Sequence, residues 1–95
     1  MLFVVSYDMP STKGGNRRRA AVARYLEGIG LRVQLSVFEL DLPPEKMPAV
    51  YRDIEQRIEP KEDTVRIYTI CAACAERVVR VGTPAVCEHA ALLVW

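Results

Sequence analysis

The sequence predicts an α+β sandwich in which two helices cover one face of a mostly antiparallel sheet. Strand-like and helix-like segments alternate in the order βαβ(β)αβ, and no linker, repeat or low-complexity tract divides the 95 residues. One domain is therefore expected. This order is that of the ferredoxin-like fold. We expect a βαββαβ core over residues 1–82 and an extra C-terminal strand over residues 83–95 that takes part in homodimerisation.

The first strand and the first helix have strong local signals. Leu2–Tyr7 is a continuous apolar and β-branched run, which is typical of a central strand. A loop follows over Pro10–Gly15, and Asn16 is predicted to cap the helix. Gly28 or Gly30 is expected to end it. The apolar positions of this helix recur at intervals of three and four residues: Val22, Tyr25, Leu26 and Ile29.

The middle of the chain is less clear. Residues 31–42 read LRVQLSVFELDL, with no turn dipeptide, which predicts either one long bent strand or two short ones. Pro43 and Pro44 end this segment. A second helix is expected to follow and to stop before Pro60, with Pro48 in its first turn. Its apolar stripe consists of Met47, Val50, Tyr51, Ile54 and Ile58.

The last part of the chain predicts more strand. Asp63–Ile70 alternates, so that Val65, Ile67 and Thr69 share one face. Val78–Val81 is a short apolar piece. Ala90–Trp95 is too apolar for water, and we expect it to pair as an added strand.

Composition excludes several classes of protein. No apolar run approaches the roughly 20 residues of a membrane span, and the start of the chain lacks the pattern of an export signal. The three cysteines are an odd number and are expected to be reduced thiols in the cytoplasm. No membrane partner is expected.

The formal net charge of +1 conceals two opposite halves. Residues 1–34 carry six basic and two acidic side chains, whereas residues 35–63 carry four basic and eight acidic ones. We therefore expect one basic and one acidic face. A local basic face suits binding to a phosphate backbone, whereas the small net charge argues against a protein that is basic over its whole surface.

Four segments resemble one family. They are the strand ending in Tyr7-Asp8, the arginines near the start of the first helix, the block GLRVQLSVFEL from Gly30 to Leu40, and DTVRIY from Asp63 to Tyr68. Together they resemble CRISPR-associated protein two, the small adaptation subunit that accompanies the CRISPR integrase. The resemblance implies a ferredoxin-like homodimer, an integrase partner, and binding of RNA or duplex DNA.

The resemblance also implies that Asp8 is the catalytic and metal-binding residue. The Asp8 carboxylates of two protomers would face one another and share Mg²⁺. Mg²⁺ typically takes one or two carboxylates and keeps several waters, so one aspartate from each chain is sufficient. Bound Mg²⁺ lowers the pKa of an attacking water and offsets charge on the phosphate. The alternative is a turn-capping Asp8 that accepts hydrogen bonds from the amides of Ser11, Thr12 or Gly14.

Nucleic-acid contacts are predicted at five residues. Arg17 and Arg19 are expected in the first helical turn, where guanidinium groups and free amides can meet a phosphate. Arg32 and Ser36 are added because they lie in the block from Gly30 to Leu40 that resembles the family. Phe38 is a candidate for stacking on a base, although packing within the sheet is the favoured alternative for it. A solvated surface cluster is the alternative for the arginines.

The cysteines supply a rival site. Cys71-x₂-Cys74 has zinc-knuckle spacing, whereas Cys87-x-His89 does not close well around one tetrahedral ion. A redox dithiol is another interpretation, which requires a helix N-terminus at the pair. Small, half-buried thiols are the favoured expectation.

Two functions remain open from the sequence. One is a dimeric Mg²⁺-dependent endonuclease, and the other is an adaptation scaffold that binds nucleic acid without catalysis. A ligand-binding protein of the acylphosphatase type is a distant third, because MPSTKGGN lacks a tight phosphate-cradling arrangement.

Overall fold

The computed structural model describes residues 1–82, so the predicted C-terminal strand over 83–95 lies outside the described residues. One sheet has the strand order β2-β3-β1-β4, and each neighbouring pair is antiparallel. This arrangement confirms the ferredoxin-like prediction. The elements are β1 (Leu2–Asp8), α1 (Lys13–Glu27), β2 (Leu31–Gln34), β3 (Val37–Asp41), a 3₁₀ turn (Pro44–Lys46), α2 (Met47–Glu55), β4 (Thr64–Ile70) and the short α3 (Ala72–Ala75).

β1 lies at the centre of the sheet between β3 and β4, as its apolar run predicts. Its side chains alternate, so that Phe3, Val5 and Tyr7 are buried under the helices while the residues between them point to the other face. Burial of these side chains in one cluster is the main contribution to stability. The cluster also contains Met9, Val22, Ala23, Leu26, Phe38, Leu40, Met47, Val50 and Ile54.

The start of α1 differs from the prediction. Thr12 is the N-cap, and its hydroxyl accepts a hydrogen bond from the Gly15 amide at 2.9 Å. Asn16 lies inside the helix instead. Glycine at position 15 allows this early start, because a Cβ there would collide with the carbonyl of Pro10. The end agrees with the prediction, since Gly28 is the C-cap.

The segment 31–42 forms a hairpin of two short strands. Its turn is Leu35-Ser36, which is not one of the glycine-containing dipeptides typical of two-residue hairpin turns. The register shifts between Arg32 and Gln34, which is a local irregularity of the β-bulge type.

α2 begins at Met47, and Pro48 lies in its first turn as predicted. Met47, Val50 and Ile54 are buried in the core. Tyr51 was predicted on the same stripe, but 42% of its surface is exposed. The tyrosine that joins the two helices is Tyr25, whose hydroxyl donates to Asp53 Oδ2 at 2.9 Å.

Within residues 1–82, β4 lies at one edge of the sheet, next to β1, and its Val65 and Ile67 are packed against the core. After α3, residues 78–81 have no regular secondary structure. Val79 and Val81 are 80% and 92% exposed, so this apolar piece is not a strand of the described sheet. Among residues 1–82, no helix is long and apolar enough to cross a membrane.

Candidate nucleic-acid interface and metal site

The face of the sheet opposite the helices is called the open face here. It consists of the outward residues of the three strands β1, β3 and β4: Leu2, Val4, Ser6, Asp8, Val37, Glu39, Asp41, Thr64, Arg66, Tyr68 and Ile70. Apolar and polar side chains are mixed on this face. Tyr68 is 47% exposed near the middle of it.

Asp8 is the last residue of β1, opposite Thr64 on β4, and its side chain belongs to the open face. It is exposed, and within residues 1–82 it makes no hydrogen bond or ion pair. The alternative of a turn-capping Asp8 is therefore not observed, because its carboxylate accepts no hydrogen bond from Ser11, Thr12 or Gly14 within residues 1–82. The carboxylate is available to a cation or to a second chain.

Arg66 is a residue near Asp8 that the sequence analysis did not select. It lies opposite Ser6, which places it diagonally from Asp8 on the open face. Its guanidinium donates to the Tyr68 hydroxyl at 3.5 Å and is otherwise exposed. Arg66 could have been found from the alternation of Asp63–Ile70, which puts it on the face opposite Val65 and Ile67.

A second feature is a basic stripe along α1, formed by Lys13, Arg17 and Arg24. At about 100° per residue, these three positions fall within roughly 40° of one another around the helix. All three side chains are exposed, and none has a partner within the described part of the chain. Arg17 was predicted as a nucleic-acid contact, and the stripe adds Lys13 and Arg24 to it.

Arg18 has a structural role instead. Its Nε donates to Asp63 Oδ2 at 2.7 Å and its NH2 donates to Asp63 Oδ1 at 3.0 Å, which is a bidentate pair. Its NH2 also contacts Glu62 Oε1 at 3.2 Å. These hydrogen bonds hold the pKa of the Asp63 carboxyl below its usual range and raise that of Arg18. The pair ties α1 to the start of β4.

Arg19 also turns inward, towards the loop after β1. Its NH2 donates to the Met9 carbonyl at 2.7 Å, and its NH1 donates to Asn16 Oδ1 at 2.6 Å. The arginines were expected in the first helical turn, but α1 begins at Lys13 and they lie in its second turn.

Arg32 and Phe38 are neighbours across the β2–β3 hairpin. The Arg32 guanidinium lies 5.2 Å from the centre of the Phe38 ring, and its NH1 is 3.9 Å from Glu27 Oε2. Phe38 is completely buried. The prediction that Phe38 stacks on a base is therefore wrong, and the alternative of sheet packing is correct.

Tyr7 completes this corner of the molecule. Its ring lies 6.3 Å from that of Phe38, and its hydroxyl donates to the Leu35 carbonyl at 3.4 Å. Burial raises the pKa of the Tyr7 phenol, and Arg32 opposes that rise. Ser36, predicted as a phosphate contact, accepts a hydrogen bond from the Tyr7 amide through its backbone carbonyl at 3.1 Å. This bond extends the pairing of β1 with the hairpin.

Asp8 supplies the hard oxygen ligands that Mg²⁺ prefers, so the residue type fits the ion. Within residues 1–82, no group of three or more His, Cys, Asp or Glu side chains is placed to hold a metal ion. One chain therefore offers one carboxylate at this point.

The two described cysteines, Cys71 and Cys74, are exposed and free. The expectation of half-buried thiols is wrong for this pair. Cys87 and His89, the other members of the predicted zinc set, lie outside the described residues.

Comparison with known proteins identifies the family. Residues 1–78 match the family model described as CRISPR associated protein Cas2. The chain belongs to the Cas2 family. A relative from Synechocystis sp., named CRISPR-associated endoribonuclease Cas2 1, is 37% identical over 84 residues, covering 88% of this chain and 89% of the relative. A Rhodospirillum rubrum relative, CRISPR-associated endoribonuclease Cas2 3, is 37% identical over 94 residues, with 97% and 99% covered.

Solved Cas2 structures share the fold. The crystal structure of Streptococcus pyogenes Cas2 at pH 6.5 matches with a TM-score of 0.77 at 32% identity, covering 86% of this chain and 100% of that one. A chain of a partial Cas6-RT-Cas1–Cas2 complex matches with a TM-score of 0.68 at 27% identity, with 90% of both chains covered. The family resemblance predicted from the sequence is therefore confirmed.

Proposed function

We propose that this Cas2-family chain acts in CRISPR adaptation as a homodimer that binds nucleic acid and works with the CRISPR integrase in the integration of new spacers. We further propose that paired Asp8 carboxylates give the dimer a Mg²⁺-dependent endonuclease activity on RNA or DNA. The observation that carries the proposal is the position of Asp8. It is exposed on the open face at the end of the central strand and has no partner within residues 1–82.

The open face supports the homodimer. Leu2, Val4, Val37 and Ile70 are only partly buried in one chain, and Tyr68 is exposed beside them. Packing two such faces together would remove this apolar surface from water. A two-fold axis makes the interface self-complementary, so acids on one copy can meet Arg66 of the other.

The basic stripe supports nucleic-acid binding. Lys13, Arg17 and Arg24 present three cations along a helix surface about 16 Å long, and none of them has a partner within residues 1–82. The phosphates of each DNA strand recur about every 3.4 Å along the axis of the duplex, so a stripe of this length spans several of them. Contacts of this kind are independent of sequence, which suits a protein that handles many different spacers.

Partnership with the integrase is supported by a relative. The similar chain in the partial Cas6-RT-Cas1–Cas2 complex belongs to an assembly that includes Cas1. The match covers 90% of both chains. We propose a corresponding assembly for this chain.

In the proposed endonuclease, each residue has a separate task. When bound, Mg²⁺ lowers the pKa of water and neutralises charge that develops on the phosphate. Asp8 of each copy holds the ion in place. Arg66, diagonal to Asp8, supplies a cation at the same end of the open face. Lys13, Arg17 and Arg24 hold the nucleic-acid backbone.

A second candidate is a scaffold without catalysis. It is favoured by the small number of ligands, because the described part of one chain offers no group of three metal-ligating side chains. Under this alternative, the dimer positions nucleic acid and the integrase performs all the chemistry. The paired Asp8 carboxylates would then serve only in assembly.

Cleavage assays with Asp8→Asn separate the two candidates. Wild type and variant are purified identically and incubated with RNA and duplex DNA, in Mg²⁺ or in EDTA. The endonuclease proposal predicts Mg²⁺-dependent cleavage that Asp8→Asn abolishes while nucleic-acid binding persists. Asp41→Asn is the matched control, because Asp41 is another acid of the open face and its side chain is 90% exposed. Equal cleavage by wild type and Asp8→Asn would exclude the proposed mechanism.

Spacer acquisition in cells that carry the integrase tests the adaptation role. We expect acquisition to require this chain and to fall when Arg17 and Arg24 are changed to glutamate. If Asp8→Asn stops cleavage but leaves acquisition intact, the protein is a scaffold in adaptation and its nuclease activity is separate. Acquisition that is unaffected by deletion of the chain would contradict the adaptation role itself.

A further inference from the structure

A pair of thiols lies at the end of the sheet opposite Asp8. Cys71 follows directly after β4, and Cys74 is three residues later in α3. The Cys71 carbonyl accepts from the Ala75 amide at 2.8 Å, so the four residues from Cys71 to Cys74 form one helical turn. Residues three apart on such a turn lie on the same side. Both thiols are exposed, so a small molecule can reach them.

The two thiols share one helical turn and are not equivalent. The Cys71 sulfur accepts hydrogen bonds from the backbone amide of Cys74, from the Cys74 thiol and from the Ala73 amide, and these lower the pKa of Cys71. The hydrogen bond that Cys74 donates to Cys71 raises the pKa of Cys74. Cys71 therefore ionises more readily than Cys74, which favours Cys71 as the attacking thiol.

We propose that Cys71 and Cys74 form a thiol–disulfide exchange site whose substrate is the disulfide of a low-molecular-weight thiol such as glutathione. This proposal goes beyond the adaptation function and does not depend on it. In the β1–β4 pair, Asp8 lies opposite Thr64 and Leu2 lies opposite Ile70. The thiols, which follow Ile70, are therefore at the opposite end of β1 from Asp8. The strand rises about 20 Å between these ends.

The exchange proceeds in two displacements. In the first, the Cys71 thiolate attacks one sulfur of the glutathione disulfide, a mixed disulfide forms, and one glutathione leaves as a thiolate. In the second, Cys74 loses its proton to solvent and attacks the Cys71 sulfur, which expels the second glutathione thiolate. The chain loses two electrons and two protons in total, and one glutathione disulfide becomes two glutathione thiols.

The test uses the full chain with Cys87→Ser, which leaves only the Cys71–Cys74 pair of the three cysteines. The reduced protein is incubated with oxidised glutathione, the reaction is quenched in acid, and the intact mass of the protein is measured by mass spectrometry. We expect a mass loss of about 2 Da without an adduct, reversed by reduced glutathione. Adding Cys74→Ser should trap one glutathione on Cys71. Adding Cys71→Ser instead should slow adduct formation about tenfold.

The urea-unfolded chain is the control for the role of the fold. Unfolding removes the hydrogen bonds to the Cys71 sulfur, so the difference in rate between the two single-cysteine variants should disappear. The proposal is overturned if the folded Cys87→Ser chain stays reduced or accumulates glutathione adducts without losing them. It is also overturned if Cys74 reacts as fast as Cys71 in the folded protein, because the pair would then have no attacking member.

Discussion

The Asp63 carboxylate is buried and holds three parts of the fold together. It accepts two hydrogen bonds from Arg18 on α1, at 2.7 and 3.0 Å, and one from the Glu59 amide at 2.8 Å. The side chain of Asp63 has no exposed surface. We predict that Asp63→Asn destabilises the protein, because the amide removes the charge and directs N–H groups at the Arg18 guanidinium.

The expected loss in the free energy of unfolding is about 2–3 kcal/mol, as for other charge-assisted buried hydrogen bonds. The matched control is Glu62→Gln. Glu62 contacts the same guanidinium at 3.2 Å, but its side chain is 54% exposed. An exposed ion pair of this kind contributes less than about 1 kcal/mol.

Urea unfolding followed by far-ultraviolet circular dichroism measures both variants at one protein concentration. With a typical urea slope, we expect the Asp63→Asn midpoint to fall by about 1–2 M. The Arg18 hydrogen bonds hold the pKa of Asp63 below 3.8. Its contribution is therefore present above the unfolded-state pKa and is lost as the pH falls through the lower folded-state pKa.

The difference between wild type and Asp63→Asn should consequently narrow in acid. Equal midpoints for Asp63→Asn and Glu62→Gln at neutral pH would refute the argument. A difference that stays constant well below pH 3.8 would show that charge pairing is not its cause.

Two further predictions concern Tyr25 and Arg17. Burial, together with the hydrogen bond to Asp53, raises the pKa of the Tyr25 phenol to about 12. Tyr25→Phe should lower the free energy of unfolding, measured in urea, by about 1 kcal/mol. The contribution of the Tyr25 hydroxyl to stability should be complete below pH 10, the ordinary pKa of tyrosine, and should be lost as the pH rises through 12. Equal stability of wild type and Tyr25→Phe at pH 8 would contradict this prediction. Arg17→Ala should weaken binding of RNA and DNA several-fold and reduce the salt slope by about 1, measured by fluorescence anisotropy. Arg52, exposed on α2, is the control, and equal losses for Arg52→Ala would contradict a specific role for the stripe.

The parts of the fold that the sequence predicted are those with local signals. The apolar run of β1, the spacing of three and four in α1, and Pro48 near the start of α2 each depend on neighbouring residues. The hairpin was ambiguous because Leu35-Ser36 is not a turn dipeptide such as Asn-Gly or Asp-Gly. The start of α1 was misplaced because Thr12 and Asn16 are both good caps, and close packing of Gly15 on Pro10 decided between them.

The site was predicted less well because its side chains are held by residues that are distant in sequence. Arg17, Arg18 and Arg19 are consecutive, yet only Arg17 is without a partner in the described chain. Arg18 meets Asp63, which is 45 residues away, and no local pattern identifies that contact. Phe38 was a candidate for stacking on a base, with packing in the sheet as the favoured alternative, and in the structure it is buried in the core.

The central claim is that two copies bring their Asp8 carboxylates together on the open faces of their sheets. Double electron–electron resonance tests it directly, with one spin label at Asp8→Cys and the native cysteines replaced by serine. A label at Arg24→Cys, on the helix side, is the control. We predict one short distance between the Asp8 labels and a much longer one between the Arg24 labels. A long distance for Asp8, or no intermolecular coupling at either position, would contradict the account.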